Sequence, residues 1–258
     1  MRRPAPALLL LAVVSLLGLA GCSKLRARDQ LNKGVRAYKA AQFETAIEHF
    51  KRAIELDPQL LNARIYLATA YATQFVPGSP AAENRKLGEA AIREFEKVLQ
   101  IDEKNLTALA YIASLHFGMS EFEKAREFRK RLIQMDSGNP EHYYSLAVID
   151  WTLTYRPRME LKNRLGLQPD APLPRRERER LAETSEPLVD EGIANLERAL
   201  ELNPKYLDAI AYLNLMYREK ADLAASEQER ERYLQMADDL VDRHKRLREE
   251  MAGGTLAS

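Results

Sequence analysis

The chain has 258 residues, with 39 Lys and Arg against 38 Asp and Glu and a formal net charge of +1. That balance supplies no electrostatic drive toward nucleic acid, and 46% hydrophobic residues are enough for a core and too many for a wholly disordered chain. A single cysteine excludes an intrachain disulfide and a four-cysteine zinc site.

At the N-terminus, Arg2 and Arg3 precede an uncharged apolar run, Ala7 to Ala20, that closes on Leu19-Ala20-Gly21-Cys22. A positive start, a short apolar stretch and small residues at its end form an export signal. A spanning helix needs roughly 20 apolar residues, so the run is short for a permanent span. Its ending resembles the lipobox of bacterial lipoprotein precursors. The resemblance implies a signal peptide over 1–21, cleavage before Cys22, and acylation of the Cys22 thiol and the new amino end. The mature chain would hold 37 basic and 38 acidic residues. Residues 22–28 are then expected to be a lipid-anchored tether, because several buried acyl chains anchor stably where one does not. Ser23 after the cysteine, in place of Asp, implies by the same resemblance an outer-membrane protein facing the periplasm.

From Asp29 onward apolar residues recur at three- and four-residue spacing, without a run of period-two alternation. Within Gly34–Pro58 the pattern Gly34, Tyr38, Phe43, Ala46, Phe50, Ala53, Leu56, Pro58 resembles the tetratricopeptide repeat, a 34-residue pair of antiparallel helices. Lys33 and Ala37 depart from the usual leucine and aromatic. Equivalent first-helix positions fall at Lys33, Leu67, Ile112, Leu146 and Leu213, at intervals of 34, 45, 34 and 67. Second-helix ends fall at Pro58, Glu103, Ser137 and Pro204, at intervals of 45, 34 and 67. Both series carry the same two insertions.

The fold predicted is all-α: a tetratricopeptide-type solenoid, a right-handed superhelix of about four or five antiparallel helix pairs spanning 29–251. Repeats lie near 27–60, 61–104, 105–138, 139–206 and 207–251. Ala46, Ala53, Ala68, Ala91, Ala113, Ala125 and Ala199 are expected at close helix crossings; Phe43, Phe50, Phe95, Phe122 and Leu196 fill between pairs. One pair cannot bury its apolar face alone, so pairs must stack. Ser120 with Glu123 reads as a capping box, and Asn139-Pro140 as an N-cap with proline at the first helical position.

The insertion at 74–86 contains Pro77, Gly78 and Pro80, and reads as a loop before a lengthened second helix ending at Ile101. The insertion at 154–186 reads as a short helix near Met159–Leu165, then a run Arg175–Glu186 that extends the next helix backward, with a kink or break at Pro187. It is either an interaction element or a structural cover. The tail 252–258 is expected to be disordered.

No phosphate-binding glycine loop, nucleophile elbow or His-Glu-x-x-His occurs. His49, His116, His142 and His244 are scattered, so no metal or other cofactor is expected. Adjacent carboxylates such as Asp238-Asp239 point about 100° apart on a helix and form no acid–base pair. The basic stretch Arg156, Arg158, Lys162, Arg164 is one-sided and stands as a contact for an acidic partner or headgroup, against a solvated loop.

In the repeat family the first helices line a concave groove. Carried over by register, candidate partner-binding residues are Tyr38, Asn62, Thr69, Phe117, Tyr144, Trp151 and Tyr155. Trp151 either lines this groove or packs under the insertion. The lysine and asparagine clamp of chaperone-binding members is not reproduced, since Val35, Thr69, Ser114 and Val148 stand there. The resemblance implies a non-enzymatic scaffold or adaptor lipoprotein, mediating protein–protein interactions in assembly, secretion, pilus or wall-enzyme complexes. Its partners would be envelope proteins or peptides, with the membrane reached through Cys22. The alternatives are a receptor for a short peptide or small molecule in the groove, or an envelope-polymer enzyme.

Overall fold

The computed structural model describes the backbone of residues 6–254 and the side chains of residues 22–252. The described residues form ten helices and no strand: α1 (Pro6–Lys39), α2 (Phe43–Leu56), α3 (Leu61–Gln74), α4 (Ala82–Ile101), α5 (Leu106–Gly118), α6 (Phe122–Met135), α7 (Pro140–Arg164), α8 (Arg175–Leu202), α9 (Leu207–Leu223) and α10 (Glu227–Gly254). They divide into two compact units, α1–α5 up to Glu121 and α6–α10 from Phe122. In the first unit α1 packs on α2, α2 on α3, α3 on α4 and α4 on α5; in the second α6 packs on α7, α7 on α8, α8 on α9 and α9 on α10.

The helix boundaries follow from local chemistry. Asp57, Asp102 and Asn203 each close a helix in extended backbone. Each side-chain Oδ1 accepts from the backbone N–H two residues on, at 3.2, 3.3 and 3.2 Å. This Asx turn satisfies a donor at the reversal, and the next helix starts four residues later in all three cases. Asn139 caps α7 as expected, its Oδ1 accepting from Glu141 N at 3.0 Å with Pro140 at the first turn. Ser120 does not form the expected capping box. It sits at φ 61°, where the Ser120 N–H donates to Phe117 O and the Glu121 N–H to His116 O, closing α5 in a Schellman motif. Ala41 (φ 57°) closes α1 and Gly166 (φ 68°) closes α7 in the same way.

The small residues occupy the crossings. All seven alanines named from the sequence are fully buried, as are Phe50, Phe95 and Leu196. A Cβ on Gly34 would stand 2.5 Å from the Phe50 ring, so glycine here admits the aromatic against α1. In the second unit Val189, Ile193, Leu196, Ala199, Ile210, Leu213 and Met216 form one core between α8 and α9, with Ala147 of α7 and Ala237 of α10.

Residues 22–28, expected as the lipid-anchored tether, are helical as part of α1, and Ala27 among them is already fully buried. Two expectations for the second insertion need correction. The 154–164 stretch is no separate helix: α7 continues through Pro157 to Arg164. Likewise α8 runs through Pro187 unbroken. A proline removes one intrahelical hydrogen bond, and here the long helices are held by tertiary contacts on both sides of it. The expected disorder of the tail falls largely on residues 255–258, outside the described residues.

The first insertion forms as a loop followed by the long α4. Asn84 holds the loop: its Oδ1 accepts from Val76 N at 2.7 Å and its Nδ2 donates to Val76 O at 2.9 Å and Ser79 O at 3.3 Å. Phe75 packs against Gly88 and Gly118, where a Cβ would come within 3.1 and 2.7 Å of its ring.

Candidate functional site

The second unit carries a continuous row of aromatic rings on its first helices. In order they are Tyr206, Tyr144, Tyr212, Trp151 and Tyr155, with successive centroids 5.1, 5.5, 5.4 and 4.6 Å apart. Three come from α7, Tyr212 from α9 and Tyr206 from the cap just before α9, and the two helices pack against each other. Every ring is half-buried, and all but Tyr155 pack against the α8–α9 core. Offset and edge-on aromatic pairs at these separations are favourable beyond the area they bury. Each end is tied down by a charged residue: the Tyr206 hydroxyl donates to Glu141, and the Arg158 guanidinium lies 5.4 Å over the Tyr155 ring. The Trp151 indole N–H is buried without a hydrogen-bond partner. Burial also raises the Tyr144 phenol to about 12.

Tyr144, Trp151 and Tyr155, all candidates from the sequence, are thus brought into one row. Tyr206 and Tyr212 complete the row and were missed; their signal was present in the tyrosines at the start of the repeat that follows the insertion. In the first unit Tyr38 and Thr69 are linked through Thr73. The Thr73 hydroxyl donates to Thr69 O at 2.9 Å, so the Tyr38 hydroxyl is the donor in its 2.8 Å contact with Thr73 Oγ1. Asn62 and Phe117 are exposed.

The basic stretch of the second insertion does not behave as one surface. Arg156 and Arg164 are exposed, Arg156 lying 5.6 Å over the Phe122 ring. Arg158 and Lys162 are buried, which corrects their assignment as partner contacts. Arg158 Nε donates to Glu219 Oε2 at 2.8 Å and Nη1 to Asp222 Oδ2 at 2.5 Å. Lys162 Nζ donates to Asp222 Oδ2 at 2.6 Å and Pro169 O at 2.7 Å. Two cations meet two anions here, as a buried cluster requires. Burial raises the Glu219 carboxyl to about 7 against the opposing pull of Arg158. In the same insertion Leu161, Leu173 and Leu181 form a small apolar core, with Leu223 of α9 packed against it.

A third buried acid, Asp150, lies on α7. Its Oδ1 accepts from Arg126 Nε at 2.7 Å while Oδ2 has no partner. Burial raises its carboxyl to about 7, with Arg126 and Lys130 pulling down and Glu191 pushing up. Arg126 is shared with Glu191 at 2.6 Å. His116 pairs with Glu121 at 2.8 Å, and His142 Nε2 lies 3.3 Å from Asp136. These are structural pairings within the packed helices. An open cleft of about 620 Å³ where α8 and α10 start and α9 ends is lined by three basic and four acidic side chains and selects for neither charge.

The Tetratricopeptide repeat family model matches residues 31–60, the region of α1, α2 and the first Asx turn. No curated protein sequence matches the chain. Among solved structures, the chain is similar to MamA 41-end from Desulfovibrio magneticus RS-1, at 14% identity and TM-score 0.59 over 87% of this chain and 96% of that one. A crystal structure of MamA gives 16% identity and TM-score 0.56 over 86% and 94%. YrrB, a TPR protein with an unusual peptide-binding site, gives 14% identity and TM-score 0.54 over 86% and 90%. At such identities the likeness is one of fold. With the helix pairing described above, it defines a tetratricopeptide-type solenoid.

Proposed function

We propose that this protein is a lipid-anchored tetratricopeptide scaffold of the bacterial cell envelope, and that its second unit binds a segment of an envelope protein. The observation that carries the binding role is the five-ring row. Half-buried tyrosine and tryptophan side chains offer large contact area at low entropic cost and are enriched where partners bind. The peptide-binding site of YrrB, on a similar fold, supports the same use of the helix pairs. The lipid anchor at Cys22 and the outer-membrane location rest on the Leu19-Ala20-Gly21-Cys22 motif and Ser23. A scaffold is favoured over an enzyme because Glu219, Asp222 and His116 are taken up by internal pairs.

A photo-crosslinking residue at Tyr212 in the native host tests the binding role. One stoichiometric envelope protein should be captured, and Trp151→Ala should abolish capture while leaving the fold intact. Capture that is indifferent to Trp151→Ala overturns the site. Cys22→Ser should move the protein out of the membrane fraction, and retention overturns the anchor.

A second reading, a receptor for a short peptide or small molecule, is favoured by the same row, whose half-buried rings leave their outer parts open to a ligand. Trp151 is the single tryptophan of the chain. Its fluorescence therefore reports occupancy directly, and an unchanged spectrum across a peptide library removes this reading.

A further inference from the structure

The anchor proposed above places acyl chains on Cys22, and the structure leaves almost no chain between that residue and the packed body. α1 continues through residues 22–28 as helix. Ala27 is fully buried, and it is the sole buried residue of that stretch. Five helical residues rise about 7.5 Å, whereas a flexible tether would let the body hang free of the bilayer.

The residues around the anchor match a membrane surface. Cys22, Lys24, Leu25, Arg26 and Arg28 are all exposed, and Leu25 is 71% accessible. Asp29, the first acidic residue of the chain, is paired with Lys33 at 2.7 Å. Among the described residues, none forms an ion pair with Lys24, Arg26 or Arg28. These three charges lie within about 9 Å of Cys22 along the helix axis. The screening length at physiological salt is about 8 Å, so acylation at Cys22 places them inside the field of the headgroups.

We infer that the start of α1 is a second membrane contact, resting on the anchor reading. Lys24, Arg26 and Arg28 engage anionic lipid headgroups, Leu25 enters the interface, and the first helix pair sits against the bilayer. Acyl chains together with a basic patch make a firmer attachment than either alone.

The test uses the lipoprotein extracted from its own membrane and carrying Leu25→Cys. With Cys22 acylated, one thiol takes a nitroxide label; two labelled thiols would show Cys22 free and overturn the anchor. The singly labelled protein is reconstituted into phosphatidylcholine vesicles with and without phosphatidylglycerol. In the anionic vesicles the label at 25 should be several-fold less accessible to a water-soluble relaxation agent than one at Lys104→Cys, an exposed position. Replacing Lys24, Arg26 and Arg28 by serine should restore accessibility and weaken lipid association roughly a hundredfold. If one thiol labels but its accessibility equals that at position 104, the anchor stands and the contact is overturned. Protection that survives the triple replacement, or that is equal in neutral vesicles, overturns the role of the basic residues.

Discussion

Lys162 Nζ lies 2.6 Å from Asp222 Oδ2, sixty residues away, and the lysine side chain is wholly removed from solvent. Its burial is tolerable because the carboxylate and the Pro169 carbonyl take two of its three protons. Asp222→Ala should therefore cost about 3–5 kcal/mol, leaving a buried ammonium without its counter-charge. Lys162→Met combined with Asp222→Leu should recover most of that loss. Urea unfolding of the two variants checks the expectation; equal losses would mean that packing, not charge, governs the site.

The approach of Phe50 to Gly34 gives a steric prediction. Gly34→Ala puts a methyl where ring atoms lie 2.5 and 2.6 Å away, and Phe50 is fully buried with no room to retreat. A loss of about 1–3 kcal/mol is expected. Gly138→Ala, whose nearest contact would be 4.0 Å away, should stay within about 0.5 kcal/mol. Thermal melts of both variants provide the comparison.

Ala41 adopts a left-handed backbone without being glycine. An L-residue there is disfavoured by roughly 1–2 kcal/mol, while glycine adds some unfolded-state entropy. Ala41→Gly should therefore stabilise the protein by about 0.5–1 kcal/mol in denaturant unfolding. A destabilised variant would show that the alanine methyl makes a packing contribution larger than its backbone strain.

Stability should fall as pH rises from about 4 toward about 7, and Asp150 is a main cause. Its carboxyl is raised from 3.8 to about 7, so between these values the folded chain holds a proton that the unfolded chain has released. The folded state then binds more protons, and its stability decreases with rising pH. Asp150→Asn should reduce the slope by up to about 1.4 kcal/mol per pH unit. Glu219, raised to about 7 in the same direction, leaves a residual slope. Unfolding free energies measured across that range test the difference.

The array was legible in the sequence because its determinants are periodic. Ala46, Ala53 and Ala199 had to be small wherever helices cross, and the intervals between equivalent positions exposed both insertions. The site was only half legible. Register placed Tyr144 and Trp151 on one first helix and Leu213 on the next, but the neighbouring Tyr212, and Tyr206 at the cap, were not carried over as contacts. Arg158 and Lys162 read as candidate partner contacts because their internal partners, Glu219 and Asp222, lie in a later repeat. Ser120 shows a different limit: its spacing to Glu123 suits a capping box, yet the end of α5 takes Ser120 into a Schellman turn first.

The same buried cluster makes the 154–186 segment non-modular. Excising it would strand Glu219 and Asp222 as two uncompensated acids against α8, so lost binding after such a deletion would report a damaged body as readily as a missing interface. Conversely, the segment cannot be transplanted into another repeat array by itself. The recipient helix would need both acids, one turn apart, before the graft could close over it.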